Sequence, residues 1–233
     1  MIILSDLSEV HIRGIQGTDR FLAKKFAENS IGRHGIKERC WRRHREVTGA
    51  FRDLLRGRIT EDEYWSEFFA VGQWPFTAED AKAALSANLR EVMPHGATKV
   101  LQRIVKYPRS LDPVHGHELG LADGMPTIYL VSDHIRGRID EVKAAHPGLF
   151  RLFAREFLSY ELGLIKQDLG LFETVLEEGN LKPGETLFID DDIRNVAAAS
   201  RVGIPGIKFE NDIQLETVMR ETYGFQFAPA DPD

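Results

Sequence analysis

The sequence predicts an α/β fold, a doubly wound parallel sheet with a helical unit inserted after its first strand. Three observations carry this. A short apolar run, "MIIL", opens the chain, and from Thr18 to about Val92 the pattern is helical with no strand in it. After "MPHG", apolar runs alternate with amphipathic stretches, and strand-helix-strand-helix order implies a parallel sheet covered on both faces. Three apolar runs end in acidic or hydroxyl residues, on the rim where such sheets bind ligands.

The elements follow in order. "MIIL" is a buried strand. "TDRFLAKKFAEN" puts Phe21, Leu22 and Phe26 on one helix face. "IKERCWRRHREVTGAFRDLLRG" reads as one charged helix with Trp41, Val47, Phe51, Leu54 and Leu55 as its apolar side. Thr60 and Glu63 form a capping box before "TEDEYWSEFF", and Thr77 and Asp80 suggest a similar start for "AEDAKAALSANLREV". A helix "ATKVLQRIVKY" and a polar loop from Pro108 to Pro126 come next. They lead to the strand "TIYLV", a helix "IRGRIDEVKAAH" and a further helix around "LFRLFAREF". A short strand or turn near "FLS" precedes the helix "DLGLFETVLEEGN". The strand "TLFI", helix "DIRNVAAASRVG", strand "GIKF" and helix "IQLETVMRETYG" finish the fold, with "APADPD" as a frayed tail.

The 233 residues suffice for one good core, or a core with a smaller insert. A net charge of -6 argues against nucleic acid as the main partner, while leaving room for a small anionic metabolite at a locally positive site. One cysteine, Cys40, excludes an intramolecular disulfide and a cysteine-based metal site. A strand beginning at Ile2 leaves no room for a signal peptide, and no apolar run approaches a membrane span. The expectation is a cytoplasmic protein with no membrane partner.

The strand ends carry the chemistry. "MIIL" ends in Ser5-Asp6, "TIYLV" in Ser132-Asp133 and "TLFI" in Asp190-Asp191-Asp192, while Lys166 follows "SYELGLI" before a helix. A parallel sheet brings all four to one rim. Asp6 can act as nucleophile, and Ser132 and Lys166 can hold phosphate oxygens. The acidic cluster can hold Mg²⁺, a hard cation that prefers oxygen ligands and reduces repulsion between a carboxylate and a phosphate dianion.

With these residues in place the chain resembles a haloacid dehalogenase (HAD) superfamily hydrolase. "LSDLSEV", "YLVSDH", "SYELGLIKQD" and "LFIDDDIRNVAAASRVGI" are similar to its four motifs in order and spacing, and "KPGETLFIDDDIRNV" is the most specific stretch. The resemblance implies a Rossmann-like core of residues 1–14 and 95–233 and a small helical cap of residues 15–94. It makes Asp6 the nucleophile and Ser132, Asp133 and Lys166 the phosphate-binding residues. Asp191 becomes the main metal ligand beside Asp190, with Asp6 and the backbone carbonyl of Ser8 in the same shell and Asn195 steadying it. Three positions depart from the pattern. Ser8 stands where phosphatases of the family carry a second aspartate, Glu9 where a glycine often follows, and Gln167 where a proline follows the lysine.

Each residue also has a bland reading. Asp6 alone is a turn residue, Ser132 or Asp133 a helix cap, Lys166 a surface lysine. Asp192 is expected to cap its helix. Three adjacent aspartates are harder to explain without a cation, because they repel one another. The run "RHGIKERCWRRHR" is expected to be a solvated helix face, and His115 and His117 part of a polar loop. His11 and Arg13 face the substrate or begin the linker to the cap.

The function expected is a Mg²⁺-dependent phosphohydrolase of a small phosphorylated metabolite, working through an aspartyl-phosphate and slowed by Ser8. One alternative is a degenerate binding protein with no activity. The other is a metal-independent 2-haloacid dehalogenase, which would need no acid at position 8 but would leave Asp190 and Asp191 without a purpose.

Overall fold

The computed structural model describes residues 1–13, 32–91, 93–106 and 126–229. In chain order its strands are β1 (Ile2–Ser5), β2 (Ile12–Arg13), β3 (Met93–Pro94), β4 (Ile104–Lys106), β5 (Thr127–Ser132), β6 (Arg155–Leu158), β7 (Thr186–Asp190), β8 (Gly206–Lys208) and β9 (Gln226–Phe227). The main sheet runs β6-β5-β1-β7-β8, with every pairing parallel. The chain therefore moves outward from β1 on one side, then returns to its other side. That reversal places the end of β1 at the point where open α/β sheets bind ligands.

Both faces of the sheet are buried, so its strands are near-continuous apolar runs. The alternation of side chains divides them between two clusters. Ile3, Ile128, Leu130, Leu187 and Ile189 pack with α5 (Gly96–Gln102), α6 (Arg138–Ala145) and α11 (Asp212–Glu221). Leu4, Val131 and Phe188 pack with α9 (Leu171–Gly179) and α10 (Ile193–Arg201) on the opposite face.

Between β2 and β3 the described residues form four helices: α1 (Gly32–Glu46), α2 (Thr48–Leu55), α3 (Glu61–Phe69) and α4 (Ala78–Glu91). They bury a cluster of their own, with Cys40, Val47, Leu54, Tyr64, Trp65, Phe68 and Phe76 at its centre. Both expected capping boxes are present. Thr60 and Glu63 exchange bonds at 3.2 and 2.7 Å, and Thr77 and Asp80 at 3.2 and 3.0 Å. The insert enters and leaves through one ribbon, because β2 and β3 pair antiparallel. A part-buried network ties it to the core: Arg138 of α6 reaches Glu61 of α3 at 2.7 and 2.9 Å, and Ser86 of α4 at 2.5 Å.

Several expectations need correction. The long charged helix is two helices that break at Val47. Trp41 is 57% exposed and takes Arg45 on its ring, whereas Cys40 faces the core. "ATKVLQRIVKY" is helical only to Gln102, because Ile104–Lys106 pairs with Gln226–Phe227. "LFRLFAREF" gives only its first two residues to a four-residue helix, α7 (Pro147–Phe150), and its last three to strand β6, which meets the short strand expected near "FLS". A second short helix, α8 (Ser159–Leu162), follows β6. The helix expected from Asp168 starts at Leu171, behind Gly170 at φ +103°. The helix expected for "TDRFLAKKFAEN", the His115 and His117 pair and nearly all of the Pro108–Pro126 loop lie outside the described residues. No helix among the described residues is long and apolar enough to cross a membrane.

Candidate functional site

The ladder itself builds the site. Ser5 sits in register with Ile189, and the Asp6 N–H continues the pairing by donating to the Ile189 carbonyl at 2.9 Å. Asp6 and Asp190 thus leave neighbouring strands side by side. Lys166 lies between them, with Nζ 2.8 Å from Asp6 Oδ1 and 2.7 Å from Asp190 Oδ2. All three are buried.

Asp190 is held from several sides. Its Oδ1 accepts the Asp192 N–H at 2.8 Å, and Asn195 Nδ2 lies 3.1 and 3.2 Å from its two oxygens. Asn195 reaches back because it sits one turn into α10. Asp192 caps that helix by accepting the Arg194 N–H at 2.8 Å, as expected, and the Arg194 guanidinium on the same carboxylate, with Nε at 3.0 Å, holds it below the usual range. Asp191 is half-buried. Carboxylate oxygens of Asp6, Asp190 and Asp191 lie within 4.8 Å of one another.

The electrostatics follow burial. Asp6 is pushed up to about 7, first by desolvation and further by Asp190, with Lys166 opposing. A carboxylate touching a lysine would ordinarily shift down, but this lysine is shared with a second buried carboxylate. Burial works against the Lys166 ammonium, yet Asp190, Asp6 and Asp133 together push its pKa up, so the lysine stays charged. Burial and then Asp190 raise Asp191.

The donor set fits a hard divalent cation: three oxygens around one point, two of them on buried carboxylates. Two buried atoms at this rim have no partner among the described residues, Ser132 Oγ and Asn195 Oδ1. A buried hydroxyl without a partner fits a ligand oxygen. Ser132 is the last residue of β5, and neither it nor Asp133 caps a helix, since α6 begins at Arg138 behind Gly137.

The remaining residues singled out in the sequence take the following places. The Asp133 carboxylate is turned onto the Lys166 N–H, at 3.1 and 3.3 Å, and burial raises its pKa. It orients the lysine loop. Ser8 is half-buried and forms an isolated bridge with Ile12. Glu9 adopts φ +58°, which explains why glycine suits this position. His11 does not face a substrate. Its ring is fully buried between Thr98 Oγ1 and Ser5 Oγ, each at 2.9 Å, where it braces the end of β1. Arg13 belongs to the β2–β3 ribbon. In the basic run, Arg43 is tied to the Phe68 and Glu67 carbonyls at 2.9 and 2.5 Å, and Arg39 lies over Trp74 at 4.6 Å, so these two pack rather than solvate.

Two contacts escaped sequence reasoning. Asp168 accepts Arg56 from the insert, and Ser159 Oγ donates to the Leu55 carbonyl at 2.6 Å.

No family model matches the chain. A curated relative, a sesquiterpene phosphatase of Aspergillus oryzae, is 34% identical over 73 residues. That match spans 31% of this chain and 37% of the relative's length. Among solved structures, a HAD family enzyme of Bacteroides thetaiotaomicron in complex with magnesium and inorganic phosphate is similar with TM-score 0.62 and 20% identity, over 90% of this chain and 93% of that one. A predicted HAD-like hydrolase of Porphyromonas gingivalis gives 0.60 and 22%, over 94% and 97%. The L-2-haloacid dehalogenase of Xanthobacter autotrophicus gives 0.58 and 16%, over 98% and 84%.

Proposed function

From the fold of the HAD-like hydrolase superfamily, which this chain has, we propose that it is a Mg²⁺-dependent phosphohydrolase acting on a small phosphorylated metabolite. Residues 1–14 and 95–233 serve as the core and 15–94 as a cap that excludes water and selects substrate. The observation that carries the reading is Lys166 bridging Asp6 and Asp190 at 2.8 and 2.7 Å, beside a buried, unpartnered Ser132 hydroxyl. One cation, one hydroxyl and a carboxylate nucleophile are what phosphoryl transfer asks of side chains.

Asp6 attacks phosphorus, the P–O bond to the leaving group breaks, and an aspartyl-phosphate forms. Lys166 and Ser132 hold the non-bridging oxygens through this step. Water then attacks phosphorus and releases phosphate, restoring the Asp6 carboxylate. Asp6, Asp190, Asp191 and the Ser8 carbonyl would hold Mg²⁺, which when bound neutralises charge between the carboxylates and the phosphate. Ser8 offers no acid for the departing alkoxide and no base for the water, so an acidic leaving group spares the first step while hydrolysis of the aspartyl-phosphate keeps turnover slow.

Dehalogenation is the second reading, and the haloacid dehalogenase likeness speaks for it. Three clustered carboxylates favour the phosphatase, since attack on carbon with loss of halide needs no metal. An assay panel with and without Mg²⁺ separates the two. It contains an aryl phosphate, sugar phosphates, a phosphorylated sesquiterpene and a 2-haloacid. Mg²⁺-dependent phosphate release that Asp6→Asn abolishes, with the fold intact by circular dichroism, supports the proposal. Halide release without metal, or phosphate release retained in Asp6→Asn, overturns it.

A further inference from the structure

The cap loop between α2 and α3 meets the core loop that carries Lys166 along a seam. Ser159 holds the Leu55 carbonyl at one end of it. Gly57, at φ +69°, sits so close to the core that a Cβ would lie 2.7 Å from the Tyr160 carbonyl oxygen. Only glycine permits that approach. Between these two contacts Arg56 Nε reaches Asp168 Oδ2 at 2.7 Å, and a terminal nitrogen reaches Oδ1 at 2.5 Å. This is a bidentate, charge-assisted pair with both side chains largely shielded, 15% and 21% exposed.

Asp168 also shapes its own loop. Its Oδ2 accepts the Ile165 N–H at 3.0 Å, and its own N–H donates to the Ile165 carbonyl at 2.8 Å. These reciprocal bonds close a turn with Lys166 inside it. Asp133 accepts the Lys166 N–H from the other side. The lysine is therefore suspended between Asp133, just past the end of β5, and a turn that the cap grips.

We infer that Arg56 is a positioning residue. Through Asp168 the cap holds the turn that aims Lys166 at Asp6 and Asp190, so cap docking and phosphate binding are coupled. The inference rests on the proposed role of Lys166 as a phosphate ligand. An arginine suits the task because its planar fork fixes both oxygens of Asp168, whereas a lysine would make a single bond and leave the turn free to rotate. Displacements of about 1 Å at a reacting centre can cost ~10²-fold in rate, so a small loosening of this turn has a large effect.

The test uses the full chain with Mg²⁺ and four variants: Arg56→Ala, Arg56→Lys, Asp168→Asn and the Arg56→Ala/Asp168→Asn double. Amide hydrogen exchange over residues 165–168 is measured without phosphate, and binding of inorganic phosphate by calorimetry. Arg56→Ala and Asp168→Asn should each speed exchange in the turn and weaken phosphate binding by about tenfold. The double variant should be no worse than either single, because both remove the same link. Arg56→Lys should fall between wild type and Arg56→Ala. Protection at Tyr64–Phe68 reports that the cap stays folded. If Arg56→Ala loses that protection, Asp168→Asn decides, since it lies in the core and can still accept the Ile165 N–H. Unchanged exchange in both single variants, or effects that multiply in the double, overturn the inference. A wild type that binds no phosphate would refute the role of Lys166, and the exchange measurement would still decide whether Arg56 holds the turn.

Discussion

Lys166→Met should destabilise the metal-free protein at pH 8 and spare it near pH 5. In the wild type one ammonium compensates two buried carboxylates, Asp6 and Asp190, at 2.8 and 2.7 Å. Methionine fills a similar volume and leaves those carboxylates uncompensated. Breaking a buried pair by removing one partner costs ~3–5 kcal/mol. Asp190 keeps the Asp192 N–H and Asn195, so Asp6 bears most of the loss. Asp6 already stands at about 7 with the lysine opposing the rise, and without it goes higher. A carboxyl whose folded pKa is raised binds its proton more tightly in the fold than when unfolded. Stability therefore returns as the pH falls through that raised value toward the ordinary one, by up to ~1.4 kcal/mol per pH unit for one group. Urea unfolding with a chelator at pH 8 and pH 5 measures this. Mg²⁺ should restore part of the loss at pH 8 by supplying the missing positive charge. A variant as stable as wild type at pH 8, or a deficit that is the same at both pH values, would refute the electrostatic account of the site.

Three further outcomes follow from the same geometry. Asp191→Ala should raise the Mg²⁺ concentration needed for activity by ~10-fold or more, while Asp192→Ala should cost ~1 kcal/mol of stability as a lost cap and leave the Mg²⁺ requirement unchanged; metal titrations and denaturation of both variants check this. Ser8→Asp should raise steady-state turnover, toward the ~10²–10⁴ that positioned acid–base help supplies, and more for alkyl than for aryl phosphates. Stopped-flow measurement with an aryl phosphate should show a burst in the wild type that shrinks in Ser8→Asp. His11, pushed down to about 3 by burial, is neutral in the fold. Its contribution is present above the ordinary value near ~6.5 and is lost as the pH falls from there toward 3, so His11→Gln should flatten the acid limb of a stability profile measured by thermal unfolding.

Much of this was legible in the chain. "MIIL", "TIYLV" and "TLFI" are apolar on both faces, and only a covered parallel sheet buries such runs. The capping boxes at Thr60 and Thr77 are local hydrogen-bond chemistry, and so is the cap at Asp192, which is why all three appear where residue spacing puts them. Asp6, Ser132 and Asp190 stood out in the sequence because each stands at the end of an apolar run, while Lys166 lies four residues past α8 and meets Asp6 and Asp190 in the fold.

What sequence could not supply is partnership over long separations. The end of "LFRLFAREF" is strand because it pairs with β5 at the edge of the sheet, and "IVK" left its helix because it pairs with Gln226 and Phe227. Asp133 reads as a cap or a phosphate ligand until the Lys166 N–H arrives from 33 positions away. Arg56 and Asp168, 112 positions apart, carry no shared pattern at all. Local propensity acts over a few residues and fixes elements and their ends. Burial and hydrogen-bond satisfaction act across the folded volume, and they alone decided which charge Asp168 would hold and which two carboxylates Lys166 would serve.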